Sequence, residues 1–296
     1  MDVRAYLRRI GYNGTVAPTT ATLRELHRAH LLAVPFENLD IHLGRPITLD
    51  QDALFDKVVT RRRGGFCYEL NGLFAALLRA IGFQVTLLSA GVARAEGGFG
   101  PEFDHLTLLV TTDPSTLRLR PSTSSGGTSG EPRLRAGDQP PTTERQATRD
   151  GTQSAIYNLQ SAIWLADVGF GDSFREPLRF VEGQEQQQDG RAYRLDRDGE
   201  YLTLMQRDGA GWEPQYRFTL QPYEHAEYAG MCHYHQTSPA SSFTRKRVCT
   251  IATPDGRVTL SDRLLITTTR GERTERALLD EQAYRAALRE YFGIEV

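Results

Sequence analysis

Three features of the 296-residue chain predict an α+β fold rather than a doubly wound sheet. Apolar residues at helical spacing occupy the N-terminal part, up to residue 82. Short β-branched runs separated by turn signals follow. A mixed strand-and-helix segment closes the chain.

Val3, Tyr6, Leu7 and Ile10 stand at i, i+3, i+4, i+7 and predict a first helix, with Asp2 as its N-cap and Gly11 and Gly14 at its exit. Thr22 and Glu25 read as a capping box ahead of Leu26, Leu31 and Leu32, and Pro35 ends that second helix. Leu54, Phe55 and Val58 suggest a third helix. Leu70, Phe74, Leu77, Leu78 and Ile81 suggest a fourth, running from Cys67 to Gly82. The period then changes. Residues 83–93, 105–112 and 161–169 read as strands, and 191–220 as a three-strand meander with turns at Asp198-Gly199 and Asp208-Gly209. Residues 222–239 read as helix up to Ser238-Pro239. Residues 247–278 read as four strands with turns at Pro254-Asp255-Gly256 and Arg270-Gly271, and Tyr284, Leu288 and Phe292 mark a terminal helix. Residues 113–160 are rich in Ser, Thr, Gly, Pro and Arg and poor in large apolar side chains, which predicts a mobile insertion rather than a domain.

Composition excludes several classes. The net charge of −2 gives no electrostatic footprint for nucleic acid or an anionic membrane. No run approaches the ~18 apolar residues of a membrane-spanning helix. Three cysteines, Cys67, Cys232 and Cys249, are no disulfide framework, and the N-terminus carries no apolar leader core. A cytoplasmic setting is the simplest reading. Cys232, His233 and His235 invite a metal site, but i, i+2 spacing on a helix turns the two imidazoles apart, so no metal is expected. Nothing in the pattern specifies an oligomeric state.

One cysteine stands out. In "RRRGGFCYEL" two glycines and an aromatic lead into Cys67 at the start of a helix. Free N–H groups and the helix dipole there favour a thiolate, the nucleophilic form of cysteine. The alternative is a structural buried cysteine, and both readings stand. A nucleophile needs a base and the base an orienting partner. His27, His30 and His42 fit packing or surface roles, and His225 helix surface. His105 opens a strand just after the loop "EGGFGPEFD", a good place for a site residue on a rigid scaffold, although a partnerless strand-edge histidine has the same signature. Asp167 ends the apolar run "WLADVGFGD"; a buried carboxylate there needs a partner, and an imidazole would be one. The alternative is a turn-capping Asp, a role Asp172 could also fill.

These segments resemble the arylamine N-acetyltransferase family. "RRRGGFCYELNGLF" is similar to the family's stretch around its acyl-accepting cysteine, "DHLTLLV" to the strand bearing its histidine, and "LADVGFGD" to the strand bearing its aspartate. "VPFENLD" and residues 233–262 resemble further family segments. The resemblance covers nearly the whole chain apart from 113–160. It implies an N-terminal helical bundle (1–82), a central antiparallel β-barrel (83–220) and a C-terminal α/β lid (221–296) around a cysteine-protease-like Cys-His-Asp core. It implies ping-pong transfer from acetyl-CoA, through a thioester on Cys67, to an arylamine or arylhydrazine. His105 would take the thiol proton and Asp167 would orient His105. Gly169, Phe170 and Gly171 would line the CoA approach, and Phe36 and Phe170 the aromatic pocket; ordinary core packing is the competing role for the two phenylalanines.

Two departures stand out: the long connection between the histidine and aspartate strands, and Asp172 after "GFG", where an anionic side chain would repel a pyrophosphate. Three other readings share the residues. One is an amide synthase acting on carrier-bound thioesters. Another is a cysteine hydrolase or transglutaminase-like enzyme. The third is a binding module whose three residues lie apart.

Overall fold

The computed structural model describes residues 1–112, 162–209 and 211–296. The expected mobile insertion therefore lies outside the described residues. The N-terminal part is helical: α1 (Val3–Arg9), α2 (Thr20–Ala33), the short α3 (Leu39–His42), α4 (Gln51–Phe55) and α5 (Cys67–Ile81). Asp2 caps α1 by accepting from the Ala5 N–H, as its position predicts. Helix α2 begins earlier than expected. Thr19, not Thr22, is its N-cap and accepts from the Thr22 N–H, while Glu25 accepts from the Tyr12 hydroxyl. α4 runs on into one π-helical turn, Asp56–Thr60, which apolar spacing does not announce. α5 ends where Gly82 adopts a left-handed conformation, φ 109°.

Eight antiparallel strands form the central sheet: β2 (Gln84–Val92), β3 (His105–Thr111), β4 (Ile163–Ala166), β5 (Leu178–Arg179), β6 (Gln186–Gln188), β7 (Arg191–Asp198), β8 (Tyr201–Arg207) and β9 (Glu213–Tyr223). Their spatial order is β5-β4-β3-β2-β9-β8-β7-β6. The two edges approach each other and are bridged by side chains. Gln186 accepts from the Arg179 N–H at 2.8 Å and donates to the Arg179 carbonyl at 3.0 Å. Gln188 accepts from the N–H groups of Arg175 and Glu176, each at 3.0 Å. The result is a nearly closed barrel whose last gap is stitched by glutamines rather than by a backbone ladder.

After β9 the chain makes a 3₁₀ turn (His225–Tyr228), then α6 (Ala229–Thr237) and α7 (Ser242–Arg245). The helix expected from 222 thus starts several residues later, because β9 runs on to Tyr223. Strands β10 (Val248–Thr253), β11 (Gly256–Ser261), β12 (Leu264–Thr269) and β13 (Glu272–Ala277) form the lid sheet, which is extended by the N-terminal β1 (Phe36–Glu37). Helix α8 (Glu281–Phe292) covers it with Tyr284, Leu288 and Phe292, the residues its spacing predicts.

Alternation along β3 positions the site. Leu106, Leu108 and Val110 pack into the helical core with Phe66, Leu70 and Phe74 of the α5 region. His105, Thr107 and Leu109 therefore share the opposite face, toward the barrel interior, where Thr107 meets Tyr216.

Candidate active site

Cys67 is the first residue of α5 and is buried. The approach to it has no room for side chains. A Cβ on Gly64 would collide with the Pro35 carbonyl, and one on Gly65 would lie 2.6 Å from a Glu69 carboxylate oxygen. Glu69 needs that space to accept from the Phe66 N–H at 3.1 Å, which satisfies one free donor of the helix start. The thiol itself departs from the sequence expectation. Burial pushes it well above its ordinary pKa, Asp167 and Asp104 add to the rise, and a hydrogen bond from the Leu106 backbone opposes it. Desolvation is the largest of these influences on the sulfur.

His105 and Asp167 form a buried pair. His105 Nε2 lies 2.7 Å from Asp167 Oδ2, with both side chains buried. Phe170 stands edge-on to the His105 ring at 5.2 Å, and Tyr216 tilts against it at 5.1 Å. Asp167 sits just past β4, whose last pair with β3 is Ala166–Leu108. Its carboxyl is held below the ordinary range despite burial, by His105 and by hydrogen bonds from Asn71 and the Gly169 N–H. Its Oδ1 accepts from Asn71 Nδ2 at 2.9 Å and from the Gly169 N–H at 3.0 Å.

Asn71 ties the carboxylate to α5. It follows Cys67 by four residues and so shares its face of α5. Its Nδ2 donates to Asp167 and, at 2.6 Å, to the Leu106 carbonyl, and its Oδ1 accepts from the Val168 N–H at 2.8 Å. Sequence reading passed over Asn71, although its i+4 offset from the cysteine is visible there. Gly169 presses the strand exit onto the cysteine: a Cβ there would lie 2.7 Å from Cys67 Cα and 2.8 Å from Asn71 Nδ2. His105 and Asp167 are thus paired directly, and Asn71 and Gly169 join Asp167 to the helix that begins at Cys67.

The remaining candidates flank this cluster. Phe170 packs on His105 and, at 5.2 Å, on Tyr216. Phe36 is half-buried in β1, bridged to Gly65, with Gly171 over its ring. Asp172 departs from expectation. Its carboxylate is neutralised by Arg191 at 2.8 Å and Arg257 at 3.1 Å, and these cations hold its pKa low. It lines a polar cavity of about 360 Å³ with Arg175, Arg191 and Arg257, so no bare negative charge faces a ligand there. His225 is not helix surface; it is half-buried with Nε2 on the Tyr68 carbonyl at 2.8 Å. His235 lies 3.3 Å from Asp104. Among the described residues no group of three or more His, Cys, Asp or Glu could hold a metal ion.

This geometry can be set beside known proteins. The N-acetyltransferase family profile matches residues 19–117 and 141–296. The chain belongs to the arylamine N-acetyltransferase family. The arylamine N-acetyltransferase of Mycolicibacterium smegmatis is 33% identical over 269 residues, covering 90% of this chain and 82% of the relative. The solved arylamine N-acetyltransferase of M. tuberculosis superposes with a TM-score of 0.78 at 31% identity, covering 100% of this chain and 94% of that one. The Mycobacterium marinum enzyme, solved in complex with CoA, superposes with a TM-score of 0.77 at 30% identity, covering 99% of this chain and 93% of that one. The match to the family profile breaks between 117 and 141, inside the long connection, and it runs through the motifs around Cys67, His105 and Asp167 of this N-acetyltransferase.

Proposed function

We propose that this family member transfers an acetyl group from acetyl-CoA to an arylamine or arylhydrazine through a thioester on Cys67. The reading rests on one observation above all: the 2.7 Å pair between His105 Nε2 and Asp167 Oδ2, locked to the Cys67 helix by Asn71. With Nε2 committed to Asp167, Nδ1 is the ring nitrogen that takes the thiol proton. The sulfur then attacks the acetyl carbonyl, the bond to the CoA sulfur breaks, and the proton on His105 passes to the departing thiolate. In the second half-reaction the neutral arylamine nitrogen attacks the thioester. Its proton goes to His105 and returns to the sulfur of Cys67. Asp167 stabilises the imidazolium in both halves.

Phe170, against His105, forms one wall of the aromatic acceptor pocket and Phe36 the other. Gly169, Phe170 and Gly171 border the path of the CoA thiol arm. The division into bundle (1–82), barrel (83–220) and lid (221–296) belongs to the same reading, with the site at the helix–barrel junction. So does a reducing, cytoplasmic setting, in keeping with three free, buried cysteines. No described helix is long and apolar enough to cross a membrane.

Intact mass after incubation with acetyl-CoA, beside a Cys67→Ala control, tests the proposal. The expected result is one acetyl group on the wild type only, removed by an arylamine. A folded wild type that takes up no acetyl group would overturn acetyl-CoA as donor.

A further inference from the structure

The ladder of β4 ends at Ala166, so the Asp167 N–H lacks a strand partner in a site closed to water. His27, on α2, supplies one: its Nε2 accepts from the Asp167 N–H at 3.1 Å. Its other nitrogen, Nδ1, lies 2.9 Å from the Arg175 carbonyl. A carbonyl can only accept and an N–H can only donate, so the two partners select the neutral Nδ1–H tautomer. The ring is fully buried, stacked on Phe174 at 5.6 Å and edge-on to Phe74. We propose that His27 is a positioning residue of the triad, a neutral imidazole that holds the backbone of Asp167 from α2 and so sets the carboxylate against His105.

The inference rests on the acyl-transfer reading above and deepens it. Three consecutive N–H groups at the strand exit, those of Asp167, Val168 and Gly169, are each taken by a side chain: His27, Asn71 and Asp167 itself. His27 is the only one of the three that anchors the exit to a helix other than α5. The groups facing it are Asp167 and Glu176, which favour its charged form, and the neighbouring His30. Burial wins and lowers its pKa to about 4. Neutrality has a purpose here. A protonated His27 would set an N–H against the Asp167 N–H, and it would compete with His105 for the charge of Asp167. The linkage continues outward. Arg175, whose carbonyl His27 holds, donates to the carbonyls of Thr253 (2.8 Å) and Pro254 (3.2 Å) and to that of Gly256, at the β10–β11 turn of the lid.

Two experiments test this. In His27→Leu, which keeps an apolar filling beside Phe174, the acetylation kcat should fall about 10- to 100-fold, with KM for acetyl-CoA changed less than about twofold. His27→Gln offers an acceptor and a donor on one side chain and should recover about tenfold of that loss. A Leu variant with wild-type kcat, or a Gln variant no better than Leu when both are folded, would overturn the proposal. The second measurement uses the wild type and needs no variant to fold well. In ¹⁵N-histidine NMR, His27 should stay neutral with Nδ1 protonated from about pH 5 to pH 8. A charged ring near pH 6, or the Nε2–H tautomer, would equally overturn it. Should the wild type form no acetyl-enzyme, acetyl-CoA transfer fails, while the NMR signature still decides the state of His27.

Discussion

Two buried polar clusters flank the first turn of α5, and they are built on opposite principles. On one side stands Asp167, a single carboxylate surrounded by neutral donors and His105. On the other, Glu37, Asp40 and Glu69 crowd against Lys57 and Arg63. Lys57 lies 2.8 Å from both Asp40 and Glu69, and Arg63 lies 2.7 Å from Glu37 and 3.1 Å from Asp40. Arg45 reaches in from the surface to 3.7 Å from Asp40 and offsets the extra negative charge. Glu69 and Asn71 are two residues apart on α5, so the helix directs them to different sides. Ion pairs hold a backbone firmly but saturate every charge. Amides and a neutral imidazole hold it too, and they leave the charge of Asp167 for His105. The second design suits the proton transfer proposed for His105.

The sharpest break of this contrast is Asp167→Asn. The amide keeps an oxygen for Asn71 and the Gly169 N–H but turns an NH₂ toward His105 Nε2, forcing the wrong tautomer. Acetyl-enzyme formation should slow by about 10³- to 10⁴-fold, as loss of the orienting carboxylate does in the serine-protease triad, with circular dichroism unchanged. That corresponds to about 4–5.5 kcal/mol on the barrier. The opposite cluster should show the opposite signature. Lys57→Met leaves Asp40 and Glu69 buried without their shared cation and should destabilise the fold by about 3–5 kcal/mol in urea unfolding. The fraction that remains folded should acetylate at close to the wild-type rate. A Lys57→Met protein that is stable but slow would show that the two clusters are not independent.

Much of this cluster was legible in the sequence. Cys67 at a helix start, His105 at a strand start and Asp167 past a strand end each carry a local signal: glycines before the helix, a loop before the strand, a carboxylate after an apolar run. His27 carries none, and Asn71 only its i+4 offset from Cys67. Their roles depend on which backbone N–H groups the end of a ladder leaves free, a property of strand pairing rather than of any local pattern. The direction of the Cys67 shift escaped for a related reason. A helix N-terminus is a local feature, whereas burial, which raises the thiol here, is a property of the whole fold. Thr22 misled because a Thr three residues before a Glu fits the capping-box pattern wherever it stands; the true cap, Thr19, lies one turn earlier. Asp172 looked repulsive because its cations, Arg191 and Arg257, lie far along the chain.

Gly169→Ala probes the contact between the strand exit and Cys67. The new methyl would meet Cys67 Cα, which is backbone and cannot swing aside. A loss of about 1–3 kcal/mol in stability is expected, together with slower acetylation. The same residue change at Gly183, which has a positive φ but open space, should leave acetylation untouched. Equal effects on acetylation at the two sites would show that the close approach to Cys67 is not what requires the glycine at 169.

The smallest expected effect concerns acid. In the folded state Asp40 is held below its ordinary carboxyl value by Lys57 and Arg63, against the opposing effect of burial. A depressed carboxyl contributes stability above its unfolded pKa of about 3.9, and that contribution is lost as pH falls through the lower folded value. Glu69 has the opposite sign. Burial raises it, so protonation relieves a cost as pH falls, and part of the loss from Asp40 is cancelled. The net acid sensitivity of this cluster should therefore be modest, on the order of 1 kcal/mol between about pH 6 and pH 3. Urea midpoints across that range, compared with those of Asp40→Asn, measure it. The variant should lose less stability on acidification than the wild type, because only the wild type has a depressed Asp40 left to protonate. If instead the variant proves at least as acid-sensitive as the wild type, protonation of Asp40 is not what governs the acid response of this cluster.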